Sequence, residues 1–295
     1  MDKSRPVKYY MVDAFTDQAY KGNPAAVCFL EDDIPDKWLQ SVAMEFNISI
    51  ACFLRRIAGD TASSVPRFHL RWFTPVTEVP LCGHATVAAA HTIFTHLLVG
   101  AGIVEFVTLS GLLTVKKICS SQSQSHNSAA EKGFFIEIDF PAVETHELNS
   151  AALSSLEKTL GCSTILDRRK TATVEDILVV LPSLKDVLEI KPNQNELLKL
   201  PGRGVIVTAK ADLESGFDFC SRFFAPKYGI PEDPVCGTAH CSLVTYWSEK
   251  LGKRDFTAYA ASSRGGVLHL HLEDDDRRVM IRGKAIIVME GLILV

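Results

Sequence analysis

The chain has 295 residues, 47% of them hydrophobic and 22% charged, a composition that excludes global disorder and fits two ordinary domains or one large one. Thirty-one Lys and Arg against 35 Asp and Glu leave a formal charge of −4 with no basic block, which argues against nucleic acid or an anionic membrane as partner. Eight cysteines, in a chain that opens without the apolar run of a secretory signal, predict reduced thiols and a cytoplasmic location.

In chain order, the aromatic run around Arg71-Trp72-Phe73 reads as a strand, and Pro75 and Pro80 mark the turn after it. Residues Val79 to Val104 carry no Asp, Glu, Lys or Arg, but Pro80 and three histidines interrupt them, so they read as a buried helix between strands and not as a membrane span. That helix is predicted over Ala85–Leu98, apolar on all sides. Val104–Val107, Leu113–Val115, Phe134–Phe140, Gly204–Val207 and Ala285–Val288 are β-like. The Ser/Gln-rich tract Ser120–Ala130 reads as a long hairpin loop or an interdomain linker. A second helix is predicted over Ala239–Leu251, with Lys250 in its last turn and Gly252 as its C-cap.

An internal repeat ties these elements together. Arg71-Trp72-Phe73-Thr74-Pro75, then Pro80-Leu81-Cys82-Gly83-His84-Ala85-Thr86, returns as Arg222-Phe223-Phe224-Ala225-Pro226, then Pro234-Val235-Cys236-Gly237-Thr238-Ala239-His240. The second spacer is seven residues against four, a difference of three, and it holds Glu232 and Asp233. We therefore expect an α+β fold of two pseudo-symmetric domains, each a β-sheet wrapped around a central helix. The boundaries fall at residues 1–140 and 141–295, with the last strand free to return to the first half.

A Gly-containing turn that opens a helix offers backbone N–H groups and the positive end of a helix dipole, which suits an anion such as a carboxylate. Two such turns across an interdomain cleft would grip a small carboxylate and leave side chains on both of its faces. The bland alternative is that duplicated strand–turn–helix units are simply how the fold is built. Asp233 beside Glu232 forms a carboxylate pair whose members would raise one another's pKa, which suits proton shuttling; a capping Asp before Pro234 is the other reading. His84 opens the buried helix, as a carbonyl-polarising group or as a structural histidine. Cys82 and Cys236 stand at equivalent places, where a helix N-terminus would lower a thiol pKa; packing as small hydrophobes is the alternative. Cys236, His240 and Cys241 lack a fourth ligand, so no metal is expected. His269 and His271 alternate on a strand and are expected to face solvent, and Arg264-Gly265-Gly266 reads as a tight turn.

The chain resembles the PhzF-like family of phenazine biosynthesis-like domain proteins, which is similar in fold to diaminopimelate epimerase. The carrying residues include Asp13-Ala14-Phe15-Thr16, Gly22-Asn23-Pro24-Ala25-Ala26-Val27, the two repeat segments, Ser110-Gly111 and Arg264-Gly265-Gly266. The resemblance implies cofactor-independent isomerase or epimerase chemistry on a small carboxylate, in a protein that is often a homodimer. It implies catalytic roles for His84 and Asp233, and turns that hold the substrate carboxylate at Gly83, Gly237 and Thr238. The family's catalytic Glu follows Asn-aliphatic-Ser; here Asn47-Ile48-Ser49 is followed by Ile50, which cannot move a proton, and Glu45 is poorly placed to replace it. Two further readings follow. One is a non-catalytic metabolite-binding or scaffold protein on the same fold. The other is a two-thiol racemase using Cys82 and Cys236, whose motifs are similar to those of proline racemase and diaminopimelate epimerase.

Overall fold

A computed structural model describes residues 6–57, 65–119, 133–148, 156–273 and 277–294; the Ser/Gln-rich tract lies outside these. The chain divides into two compact units, residues 1–139 with 282–295, and residues 140–281. The strands and helices of the first unit are β1 (Val7–Ala14), β2 (Asn23–Leu30), α1 (Asp36–Phe46), β3 (Ile50–Arg56), β4 (Arg67–Phe73), β5 (Glu78–Val79), α2 (Gly83–Thr92), β6 (Ile103–Thr108), β7 (Gly111–Cys119) and β8 (Phe134–Pro141). Then come β9 (Thr145–Glu147), α3 (Leu156–Leu160), β10 (Asp167–Thr171), β11 (Ile177–Val180), α4 (Leu184–Glu189), α5 (Gln194–Leu197), β12 (Val205–Lys210), β13 (Phe219–Ala225), β14 (Ile230–Asp233), α6 (Gly237–Leu251), β15 (Asp255–Ala260), β16 (Gly266–Leu272) and β17 (Arg278–Gly283). The last strand, β18 (Ala285–Ile293), pairs antiparallel with β1 and so belongs to the first unit.

Alternation along the strands decides what each face covers. In β4, Phe68, Leu70 and Trp72 are buried, while Arg67, His69 and Arg71 between them are half-exposed. Cys52 of β3 pairs with Trp72, and its thiol reaches the Ala85 carbonyl of α2, so this face lies on the central helix. The opposite face, with Ala51, Phe53 and Phe73, packs under Leu39, Val42 and Ala43 of α1. The second unit repeats the arrangement. Val205, Val207 and Phe224 pack with Val187 of α4 and Leu197 of α5, while the indole N–H of Trp247 in α6 donates to Thr208 from the other side (3.0 Å).

The two units share one strand plan. In the first, β2–β3 is parallel, β3–β4 antiparallel and β4–β6 parallel, with β5 folded against β4. In the second, β11–β12 is parallel, β12–β13 antiparallel and β13–β15 parallel, with β14 folded against β13. Trp72 pairs with Val79, and Phe223 with Asp233. This register makes Asp233 the counterpart of Val79, and Glu232 that of Glu78. The three extra residues of the second spacer therefore fall before Glu232, around the 3-10 turn Pro226–Tyr228, and not at Glu232 and Asp233 as the spacing implied.

A matched ion pair holds each folded-back strand. Arg71 donates from Nε and Nη2 to the two oxygens of Glu78 at 2.7 Å, and its guanidinium lies over Phe73. Arg222 does the same to Glu232 at 2.7 and 2.8 Å, over Phe224. Bidentate geometry fixes both the angle and the position of the carboxylate, which sets the path of the chain into the turn that follows.

The first central helix runs over Gly83–Leu97, close to the predicted Ala85–Leu98, but changes type along its length. It is α-helical over Gly83–Thr92 and then makes one π-helical turn, Ile93–Leu97, closed by a bond from Leu98 N–H to the Ile93 carbonyl (2.8 Å). Ala85, Val87, Ala88, Ala89 and Ala90 are all fully buried, so small side chains are a packing requirement all round. Ala89→Leu is expected to destabilise the protein by about 1–3 kcal/mol through overpacking, read as a lower urea midpoint.

Candidate active site

Both central helices begin in the same way. Cys82 and Cys236 are the N-cap residues, extended and without a side-chain cap, and the first helical residues, Gly83 and Gly237, are buried. Neither glycine has a positive φ, so the conformation does not demand glycine there. The side chains two and four positions on make matched contacts. Cys82 Sγ lies 3.3 Å from His84 Nδ1, and Cys236 Sγ lies 3.3 Å from Thr238 Oγ1. The Thr86 hydroxyl donates to the Cys82 carbonyl (2.6 Å), and His240 Nδ1 bonds the Cys236 carbonyl (2.8 Å).

In the first unit His84 is 4% exposed, and burial pushes its pKa down to about 3, with a hydrogen bond to the Pro24 carbonyl opposing the shift. It is a neutral imidazole throughout the working range, able to polarise a partner by hydrogen bonding. Nε2 faces the Ser49 hydroxyl at 3.5 Å, and that hydroxyl also bonds Asn23 Oδ1 (3.1 Å) and the Pro24 carbonyl (3.0 Å). Asn23 is brought in by the β1–β2 connection. There Gly22 has φ +63°, and a Cβ would sit 2.2 Å from the Ala14 carbonyl oxygen, so no other residue fits. Ile50 opens β3 on the face that carries Cys52 and is 3% exposed. Glu45 is exposed on α1.

In the second unit Asp233 ends β14 and accepts from the Val235 N–H (3.2 Å), the turn-holding role of its bland reading. Its neighbour Glu232 is held by both oxygens to Arg222, so it is paired with a cation in the folded-back strand. The expectation for the thiol is also reversed. Burial, followed by the nearby Asp233 carboxylate, pushes Cys236 up to about 12, outweighing Arg203 and the Thr238 hydrogen bond, which act the other way. Cys241 is likewise pushed up to about 12 by burial. His240 bonds Cys236 and Ser221 (Nε2–Oγ 3.3 Å), and burial lowers its pKa to about 4. Among the described residues no group of three or more His, Cys, Asp or Glu could hold a metal ion. His269 and His271 alternate on β16 with the buried Leu268 and Leu270 and are partly exposed, bonded to Thr257 (3.3 Å) and Asp255 (2.8 Å). Ser262–Gly265 forms the expected tight turn, with Gly265 at φ +69°.

Two functional residues escaped the sequence reading. Arg203 Nη1 donates to Thr238 Oγ1 (3.2 Å), while its Nη2 and Nε hold both oxygens of Asp176 at 2.5 and 3.2 Å. Asp176 is 1% exposed; burial raises its carboxyl, opposed by Arg203. Burial works against the Arg203 charge, but Cys236, Asp176 and Asp233 hold it protonated above the ordinary arginine range. The pair forms because β11 and β12 run parallel in adjacent register, Ile177 beside Val205, which sets the residues just before each strand side by side. Gly204 permits this approach, since a Cβ there would lie 2.5 Å from the Phe224 carbonyl oxygen and 2.9 Å from the Phe223 ring. The two residues stand 27 apart in the chain and carry no motif; only strand register reveals them.

Comparison with known proteins sets this arrangement in context. The family model described as phenazine biosynthesis-like protein matches residues 12–291. The chain is 41% identical to an uncharacterised isomerase of Halalkalibacterium halodurans over 97% of both chains. It is 38% identical to the human phenazine biosynthesis-like domain-containing protein, covering 96% of this chain and 97% of that one. A PhzF-family crystal structure from Enterococcus faecalis aligns with TM-score 0.84 at 34% identity, covering 99% of this chain and all of that one. A hydroxyproline epimerase from Agrobacterium vitis aligns at TM-score 0.62 and 11% identity over 99% of this chain and 94% of that one, a likeness of fold.

Two measurements test the electrostatics. His84, His91 and His240 all have folded pKa values below the ordinary 6.5, at about 3, about 4 and about 4, each chiefly through burial. Lowered values mean that the unfolded chain binds more protons below pH 6.5. Stability is then complete above that pH and falls on acidification, at about 1.4 kcal/mol per pH unit for each histidine until its folded pKa is reached. Chemical unfolding at a series of pH values from 7 to 4 reads this, and His240→Asn removes one histidine's share of the slope. For the thiols, iodoacetamide at pH 8 is expected to label exposed Cys119 first and to leave Cys236 unmodified on the same timescale, read by peptide mass spectrometry.

Proposed function

The chain belongs to the phenazine biosynthesis-like (PhzC–PhzF) family, and on that premise we propose that it is a cofactor-independent isomerase that moves a proton on a small carboxylate substrate. The observation that carries the reading is the duplicated Cys-Gly turn, uncapped and opening a buried helix in both units, with Asp233 beside the second. The N–H groups at Gly83 and Gly237 and the Thr238 hydroxyl hold the carboxylate. Asp233 takes a proton from one carbon and returns it to another, leaving the substrate's composition unchanged. His84, neutral through burial, polarises the group that accumulates charge.

Ile50 favours a second reading, a binding or scaffold protein, since it fills the family's glutamate position with a buried aliphatic side chain. A general acid–base contributes about 10²–10⁴ in rate, so its loss is compatible with a slow enzyme as well as with none. The two-thiol racemase is the least supported, because it needs a thiolate where burial keeps Cys236 protonated.

Solvent-deuterium incorporation into a pool of cellular carboxylates, followed by mass spectrometry, separates the three. Wild type is expected to label at least one carboxylate, and Asp233→Ala to lose about 100-fold or more of that rate while Cys236→Ala keeps it. Labelling confined to Ile50→Glu would establish a disabled catalyst. Labelling lost only in Cys236→Ala would favour the racemase.

A further inference from the structure

We propose that Arg203, anchored by Asp176, is a positioning residue that commits the Thr238 hydroxyl to donate its proton to a negatively charged oxygen of the ligand. This rests on the reading of the second turn as a carboxylate holder and goes further by saying what sets its polarity.

A guanidinium has no lone pair to offer, so in the Arg203–Thr238 contact of 3.2 Å the hydroxyl oxygen is always the acceptor. Its single proton must then point elsewhere. The neighbour is Cys236 Sγ at 3.3 Å, a weak acceptor that a carboxylate oxygen outcompetes. Thr238 itself is half-exposed, whereas Cys236 and Gly237 beside it are buried, so the hydroxyl can meet a ligand without rearrangement of the turn. The guanidinium is fixed on three sides, by both oxygens of buried Asp176, by Thr238, and by the Phe223 ring 4.9 Å from its centre. An unanchored threonine hydroxyl can turn its proton in any direction; here a cation occupies one of its two lone pairs, so the proton is turned away from Arg203 and toward another acceptor.

Comparison of the two units isolates the feature. Ala51 pairs with Phe73 and Val205 with Phe224, so Ser49 and Arg203 are equivalent positions, each two residues before its strand partner. His84 and Thr238 are equivalent in the turns. The frame therefore places one contact in both units, Ser49 to His84 and Arg203 to Thr238. Serine can donate or accept, and leaves its partner free to do either. Arginine can only donate, so Thr238 accepts from it and its proton is left for another acceptor. The second turn is thereby specialised for an acceptor that carries formal negative charge.

The test compares Thr238→Val, Thr238→Ser, the paired replacement Asp176→Asn with Arg203→Met, and Thr238→Val combined with that pair. Removing both ions together avoids leaving a buried charge uncompensated. Thermal unfolding confirms that each variant is folded. Calorimetry with benzoate as the carboxylate probe is expected to show about tenfold weaker binding for Thr238→Val and for the paired replacement, and no further loss when they are combined. Thr238→Ser should recover most of the affinity that Thr238→Val loses. Losses that multiply to about a hundredfold would mean that Arg203 meets the ligand independently, and unchanged binding in the paired replacement would mean that it does not act at all; either overturns the proposal. A ligand-free measurement keeps the two readings apart. The infrared S–H band of Cys236, assigned by subtracting Cys236→Ser, should shift equally in Thr238→Val and in the paired replacement. A shift in Thr238→Val alone would overturn the positioning role whether or not benzoate binds. Absence of benzoate binding by wild type, with both band shifts present, would count against the carboxylate reading and leave the positioning role standing.

Discussion

A helix that starts in the interior of a sheet carries a constraint that a surface helix escapes. Its first N–H groups have no intrahelical acceptors, and water is not at hand to satisfy them. An unsatisfied buried donor costs about 1–3 kcal/mol, so evolution ordinarily places Ser, Thr, Asp or Asn at such an end. Here the N-cap is cysteine in both units and caps with no side chain. Much of the surrounding structure serves to hold those ends in place. The Arg71–Glu78 and Arg222–Glu232 forks fix the strand before each turn, and buried alanines or close aromatic packing fix the helix after it.

One frame used twice lets the differences between its copies be read as specialisation. At three pairs of equivalent positions the first unit has an uncharged side chain and the second a charged one: Val79 against Asp233, Ser49 against Arg203, Ala25 against Asp176. The first unit offers a neutral imidazole held by hydroxyl, amide and carbonyl groups, and the second offers ionised groups whose positions are fixed by one another. A symmetric two-thiol site would need similar environments at Cys82 and Cys236. Their neighbours, an imidazole on one side and a hydroxyl with an arginine behind it on the other, are dissimilar.

The frame was legible in the sequence because duplication writes itself into motif spacing. Cys-Gly after an Arg-aromatic-Phe strand, found twice, implied the paired central helices, and Gly252 marked the end of the second. What spacing could not locate was the insertion, which gaps alone allow anywhere between Pro226 and Pro234. Strand register places it before Glu232, which is the carboxylate arm of the Arg222 fork. The Cys236 thiol was misjudged for a related reason: a helix end is visible in sequence, whereas the burial that outweighs it is a property of packing. Arg203 and Asp176 were invisible because parallel strands join residues that no local pattern links. Likewise, nothing in Thr92 or Ile93 announces the change to a π-helical turn.

Ile50 is best understood through the same equivalence. Its counterpart in the second unit is Gly204, where any side chain would strike the Phe224 carbonyl and the Phe223 ring, so that copy of the frame never had room for a catalytic group at this place. In the first unit the position has room, and an aliphatic side chain occupies it on the face turned to the central helix. A glutamate there would be buried as the isoleucine is, next in the chain to Ser49 and its hydroxyl. Such a carboxyl would need the ligand or that hydroxyl to stabilise its charge, a cost of several kcal/mol in the empty site. Isoleucine removes that cost and stabilises the resting fold. In the second unit, where Gly204 stands in place of Ile50, the partly exposed Asp233 instead lies near enough to Arg203 to help hold its charge.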